Sequence, residues 1–287
     1  MKLDKIVVIG AGTMGSGIAQ WFTQQMCQVE LIDYSEDQLN KALQTIHASW
    51  NSLAEKQKLS FSQINKMKDL LSTKKMEQAT KDADLVVEAI VENLEVKRDL
   101  FTKLDKHFES KTILATNTSS FPIELIAEAL TESRRPHFLG LHFFNPATIM
   151  KLVEVIKGKD TSEKLCHELY KWFDSRDKKP AMCKDSPGFI VNRVARNFYG
   201  EPLRIVGSDE ESMMKEVDMI LREVGGFKMG PFELMDLIGI DINYSVTCSV
   251  WNAYNKEPRF QPHPLQKEMV EQKRFGRKVK HGFYKYD

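Results

Sequence analysis

"KIVVIGAGTMGSGIAQWF", residues 5–22, begins as an apolar β-branched run and passes, through three glycines, into a stretch with helical spacing. Gly10, Gly12 and Gly15 form GxGxxG directly after the strand and at the opening of the helix. In that setting backbone N–H groups and the positive end of the helix dipole converge on one point, where a pyrophosphate binds. Bare GxGxxG is weak evidence, but an acid follows where a nucleotide site needs one. Asp33 ends the second apolar run, roughly twenty residues on, where a carboxylate hydrogen-bonds the adenosine ribose and repels a 2′-phosphate. The expectation is a strand–helix–strand unit that binds NAD in preference to NADP, with Gly10, Ala11, Gly12, Thr13, Met14 and Gly15 as the cofactor loop.

Outward from this unit, short β-branched runs alternate with longer amphipathic stretches as far as residue 156. Strands are predicted at 5–9, 29–32, 85–88, 112–115, 138–141 and 152–156, and helices at 14–26, 37–58, 61–71, 94–108 and 122–130. The alternation predicts an α/β fold: a Rossmann-type, doubly wound, mostly parallel sheet covered on both faces. Residues 37–71 exceed what a crossover needs and predict a projecting helical hairpin. After Asp185-Ser-Pro-Gly the apolar spacing is helical throughout, so residues 1–185 are read as a dinucleotide-binding domain and 186–287 as an all-α domain. Gly200 and Pro202 fall inside one helical stretch, where proline removes a backbone hydrogen bond, and a break or kink is expected there.

Composition narrows the function. With 41 Lys and Arg against 40 Asp and Glu the chain carries a net charge of +1, which offers no nucleic-acid footprint. No apolar run is long enough for a membrane span and no signal peptide opens the sequence, so a cytoplasmic protein without membrane attachment is expected. Cys27, Cys166, Cys183 and Cys248 are scattered, with no metal-binding spacing, and are read as reduced residues in or near the core.

Ligands of a doubly wound sheet bind at the carboxyl ends of its strands. Glu92 and Lys97 follow the apolar run at 85–88 and read equally well as surface charges or as cofactor-edge contacts. Asn117, Ser119 and Ser120 follow the next and could cap the helix beyond or meet a substrate. In "LGLHFFNPATIMKLVEVI", residues 139–156, His142 ends one apolar run and Glu154 interrupts the next. A buried carboxylate or imidazole is costly alone, but as partners the glutamate fixes the tautomer and stabilises the imidazolium. Of seven histidines, only His142 stands at a carboxyl strand end. A pyridine nucleotide that accepts hydride from an alcohol needs a base for the hydroxyl proton, and His142 suits that role.

Six motifs, "VIGAGTMGSGIAQ", "VVEAIVENLEVK", "NTSS", "LHFFNPATIMKLVEVI", "CKDSPGFIVNR" and "GPFELMDLIG", closely resemble the (S)-3-hydroxyacyl-CoA dehydrogenases, in order along the whole chain. The resemblance implies His142 as general base oriented by Glu154, with Ser119 and Asn192 at the substrate. It implies NAD contacts at Asp33, Glu92, Lys97, Ser119, Asn145 and Lys278, and coenzyme A contacts at Ser49 and Lys56. The tail departs from the family's FGxKTGxGFY, with Val279 and Lys280 after Lys278. The stretches "NRVARNFYGE" and "GGFKMGPFELMDLIG" look closer to the phenylacetate-pathway branch acting on 3-hydroxyadipyl-CoA, for whose second carboxylate Arg193, Arg196 and Arg259 are candidate partners. Two rivals stand beside this reading: a catalytically silent relative of the lens-crystallin kind, and a β-hydroxyacid dehydrogenase for free acids. The second domain, apolar over 232–254, predicts a homodimer built from residues after 186.

Overall fold

A computed structural model describes residues 1–208 and 210–287. The chain forms two compact units, Met1–Ser186 and Pro187–Asp287. The first opens with β1 (Lys5–Ile9), α1 (Thr13–Gln24), β2 (Gln28–Ile32), α2 (Glu36–Glu55), α3 (Phe61–Leu70) and β3 (Leu71–Lys74). It continues with β4 (Leu85–Glu88), α4 (Leu94–His107), β5 (Ile113–Thr116), α5 (Ile123–Ala127), β6 (Phe138–Phe143), β7 (Leu152–Lys157), α6 (Glu163–Asp174) and β8 (Lys179–Lys184).

The eight strands form one sheet in the order β3-β2-β1-β4-β5-β6-β7-β8. Pairing is parallel from β3 through β6, antiparallel between β6 and β7, and parallel again between β7 and β8. The chain winds outward from β1 through β2 to β3 and then returns to the other flank of β1 with β4. The resulting switch point opens a crevice at the carboxyl ends of β1 and β4. Every residue of β4, β5 and β6 is buried, as strands with helices on both faces must be. Trp21 and Phe22 of α1 meet Phe143 of β6 and Trp172 and Phe173 of α6, with ring centroids 5.6–6.3 Å apart.

Two edge strands, β3 and β8, were not expected, and β3 takes up the predicted end of α3. Helix starts follow local chemistry. Ser35 accepts from the Gln38 N–H, Asn93 from Val96 and Ser162 from Leu165, while Ser60 and Gln63 form a capping box. The α2–α3 hairpin is rooted rather than free, because Leu39, Ala42, Ile46, Trp50, Ile64 and Met67 join the same core as α1.

The second unit contains α7 (Val191–Val206), α8 (Glu211–Glu223), α9 (Pro231–Ile238), α10 (Ile240–Ala253) and α11 (Pro264–Glu271). Contrary to expectation, α7 runs unbroken through Gly200 and Pro202. Tyr199, Leu203 and Val206 anchor its inner face in a core with Met214, Phe232, Met235 and Ile240, and that packing outweighs the lost hydrogen bond. Asp236 fastens the tail by accepting from the N–H groups of Phe283 and Tyr284 at 2.9 and 3.0 Å and from the Tyr286 hydroxyl at 2.9 Å. A Cβ on Gly282 would lie 2.0 Å from an Asp236 oxygen, so the tail keeps this glycine even where Val279 and Lys280 depart from the family pattern.

Candidate active site

The glycine loop lies against the end of β4. Gly10 has φ +101°, and a Cβ there would sit 2.5 Å from the Ala89 carbonyl oxygen, while one on Gly15 would sit 1.7 Å from the Gly10 oxygen. Around Gly12, by contrast, no heavy atom of the described residues other than Gly12 and its chain neighbours stands within 4 Å of the same position, so that side of the loop is open to a ligand. The first turn of α1 has neither a side-chain cap nor an acidic residue, which suits its leading N–H groups to an anion. Asp33, at the end of β2, accepts from the N–H groups of Ala11 at 2.8 Å and Ser35 at 2.9 Å. Each oxygen retains a second acceptor site for a ribose hydroxyl. Together the open loop, bare helix start and acid fit a dinucleotide.

A buried charge cluster occupies the next strand ends. Glu88, closing β4, is fully buried and accepts from Lys97 Nζ at 2.6 Å, the Ile90 N–H at 2.8 Å and the Thr116 hydroxyl at 2.6 Å. Lys97 is 1% exposed and also reaches Glu92 at 3.2 Å. Its ammonium is therefore turned into the protein, between Glu88 and Glu92. Glu92 in turn accepts from the Thr118 hydroxyl at 2.6 Å, the N–H groups of Ser119 and Ser120 at 3.0 and 3.2 Å, and the Ser120 hydroxyl at 2.8 Å. Burial works against its charge, but Lys97 and these donors prevail and hold the carboxyl below its ordinary range. Ser119 is thus set by a network rather than by a helix cap. The cap of α5 comes from Asp185, which accepts from the N–H groups of Ile123 and Glu124.

His142 and Glu154 are directly opposed in the antiparallel β6–β7 ladder. Nδ1 of His142 lies 2.6 Å from Oε2 of Glu154, with His142 6% exposed and Glu154 fully buried. The carboxylate fixes the tautomer by accepting the Nδ1 proton, which assigns proton exchange to Nε2. The Asn117 side-chain oxygen accepts from the Phe143 N–H at 2.8 Å, tying the loop after β5 to the end of β6. Because β1, β4, β5 and β6 run parallel, the glycine loop, Asp33, Glu92, Ser119 and His142 share one edge of the sheet. Asn145 follows in an exposed turn with a cis bond to Pro146.

The other expected residues stand elsewhere. Ser49 accepts from the Gln20 side chain at 2.9 Å on the face of α2 next to α1, and Lys56 is exposed at the end of α2. Asn192 lies in the first turn of α7 and Lys278 in the tail, both in the second unit, where Lys278 Nζ pairs with Asp241 at 2.6 Å. Arg196 is buried against the Asn243 carbonyl and Thr247 hydroxyl, whereas Arg259 pairs through Nε with Glu257 and stays about half exposed, and Arg193 lies over the Tyr254 ring at 4.9 Å. Sequence reasoning passed over Glu88, although a glutamate closing an apolar strand is the same anomaly that singled out Glu154. Among the described residues, no group of His, Cys, Asp and Glu has the arrangement of a metal site.

Such a fold and edge define a class: a Rossmann-type dinucleotide-binding protein with a buried histidine–carboxylate pair at the carboxyl ends of its strands. Residues 5–186 match the family described as 3-hydroxyacyl-CoA dehydrogenase, NAD binding domain, and residues 188–286 match the C-terminal domain of the same family. The chain is 42% identical over 285 residues to the 3-hydroxyadipyl-CoA dehydrogenase of Escherichia coli K12, covering 99% of this chain and 59% of that protein. It is 40% identical over 287 residues to the mitochondrial hydroxyacyl-coenzyme A dehydrogenase of Sus scrofa, covering 98% of this chain and 90% of that one. The crystal structure of a 3-hydroxybutyryl-CoA dehydrogenase from Escherichia coli K12 superposes with a TM-score of 0.94 at 42% identity, over 100% of this chain and 60% of that one. The chain therefore belongs to the 3-hydroxyacyl-CoA dehydrogenase family, and its first unit is that family's NAD-binding domain. It spans about three fifths of the length of the two Escherichia coli relatives.

Proposed function

We propose that this protein catalyses the reversible, NAD-dependent oxidation of short-chain (S)-3-hydroxyacyl-CoA to 3-oxoacyl-CoA. The observation that carries the reading is the buried His142–Glu154 pair on the same sheet edge as the open glycine loop. NAD, when bound, supplies the hydride acceptor. His142 Nε2 takes the proton of the C3 hydroxyl, and Glu154 stabilises the imidazolium that results. Ser119, held by Glu92, and Asn192 contribute hydrogen bonds to the substrate, while Ser49 and Lys56 meet coenzyme A. Glu92, Asn145 and Lys278 serve the cofactor, and Lys97 serves it through Glu92. The 3-hydroxyadipyl-CoA reading takes support from the name of one relative, but the burial of Arg196 against Asn243 and Thr247 withdraws one of its three candidate carboxylate partners. A panel of acetoacetyl-CoA, longer 3-oxoacyl-CoA, 3-oxoadipyl-CoA and free acetoacetate with NADH tests this. Acetoacetyl-CoA is expected to be reduced with the highest kcat/KM, and equal rates with the free acid would overturn the assignment.

Leu237, Ile238 and Ile242 are about half exposed on α9 and α10, and we assign them to a homodimer interface of the second unit. A monomer mass by light scattering at micromolar concentration would refute it. Cys27, Cys166 and Cys248 are free thiols, and we place the protein in a reducing compartment such as the cytoplasm. Among the described residues, no helix is long and apolar enough to cross a membrane.

A further inference from the structure

Lys178, the residue before β8, is 2% exposed, yet the chemistry above makes no use of it. Its ammonium donates to the carbonyl oxygens of Ala147 at 2.5 Å and Met150 at 2.6 Å. It also lies over the Trp21 ring at 4.7 Å and near the Phe143 ring at 5.9 Å. The adjacent carboxylate, Asp177, pairs with Lys151 at 2.8 Å. Burial pushes the Lys178 ammonium down to about 8, with Asp177 offsetting part of that effect. A buried ammonium is costly, and here two carbonyls and two aromatic faces compensate it.

Both carbonyls belong to residues 144–151, the connection between the strand of His142 and the strand of Glu154. The loop also rests on α1, where a Cβ on Gly17 would lie 3.4 Å from Ala147 Cβ. Trp21, beneath the ammonium, belongs to the same helix. One side chain thus ties the loop after the base to the helix whose first turn faces the glycine loop. We infer that Lys178 is a positioning residue for the reaction: it clamps residues 144–151 so that Asn145 and His142 keep a fixed place relative to the cofactor bound at the start of α1. The inference rests on the function proposed above.

Lys178→Met keeps an unbranched apolar stem and removes the donors. NADH binding is followed by its fluorescence and turnover by steady-state kinetics on acetoacetyl-CoA, with circular dichroism to establish folding at the assay temperature. The Kd of NADH is expected to rise about tenfold and kcat to fall at least tenfold, as small misplacements of reacting groups do, while the KM for acetoacetyl-CoA stays within about twofold. Lys178→Gln, which keeps an N–H donor at shorter reach, should fall between the two. NADH affinity and kcat within twofold of wild type in a folded variant would overturn the clamp. So would losses in proportion to the unfolded fraction with an unchanged NADH Kd. If neither variant folds, hydrogen exchange on the wild-type protein decides: NADH should protect the amides of residues 144–151, and no change there refutes the inference. A wild-type protein that reduces no 3-oxoacyl-CoA, with NADH affinity still lost in Lys178→Met, would sink the functional reading and leave the clamp standing.

Discussion

Replacing Glu154 by glutamine preserves shape and a hydrogen-bonding group while removing one charge, at a fully buried position where the partner is a nearly buried base 2.6 Å away. With charge centres ~4 Å apart and an effective dielectric constant near 20, attraction between carboxylate and imidazolium is about 4 kcal/mol. That attraction is present only once His142 has taken a proton, so it acts on the step rather than on the resting protein. The amide dipole returns part of it, and at ~1.4 kcal/mol per decade the turnover number should fall by on the order of 10²–10³. The amide can also present its N–H₂ to Nδ1 and select the wrong tautomer, which adds to the loss. The assay is NADH absorbance with (S)-3-hydroxybutyryl-CoA, alongside NADH fluorescence titration, which should change little. The double variant His142→Gln/Glu154→Gln should be little worse than His142→Gln alone, since the residues act as a unit. Near-wild-type turnover in Glu154→Gln, or losses that multiply in the double variant, would refute the reasoning.

Three further outcomes are expected. Lys97→Met leaves Glu88 buried without its cation, which should cost about 3–5 kcal/mol in denaturant unfolding. A loss below about 1 kcal/mol would mean that Thr116 and the Ile90 N–H suffice for that carboxylate. Asp33→Ala should weaken NAD and narrow its advantage over NADP, and an unmoved efficiency ratio would remove Asp33 from the ribose. Glu92 is held below its ordinary 4.5, so its contribution to stability is complete above that pH and is lost as pH falls through the lower folded value. The difference in melting temperature between wild type and Glu92→Gln should therefore stay level down to about pH 5 and close on further acidification; a widening gap would contradict the sign.

The central part of the fold was legible because its signals are local. Glycines at a strand–helix junction, Asp33 after the next strand and β-branched runs of four to six residues need no tertiary context to be read. The edges were not. The strand β3 reads Leu-Ser-Thr-Lys, with one buried residue in four, and β8 contains Pro180 among lysines, a composition tolerated at a sheet edge but silent as a signal. Pro202 predicted a break that the core around Tyr199 and Leu203 overrides, since helix preference is a weak prior against burial. Within the site, His142 and Glu154 were visible as polar residues in apolar runs. Lys97 read equally well as a surface charge or a cofactor-edge contact, and Lys178 carried no signal, because only the fold brings Glu88 to one and two backbone carbonyls to the other.

The account stands most directly on the transfer of hydrogen from C3. Wild-type protein given (S)-3-hydroxybutyryl-CoA deuterated at C3, with NAD, should yield NADH carrying one deuterium by mass spectrometry. His142→Gln should bind NADH as the wild type does but form almost none of the labelled product. Unlabelled NADH, no NADH at all from the wild type, or undiminished labelled product from His142→Gln would each contradict the assignment of this site.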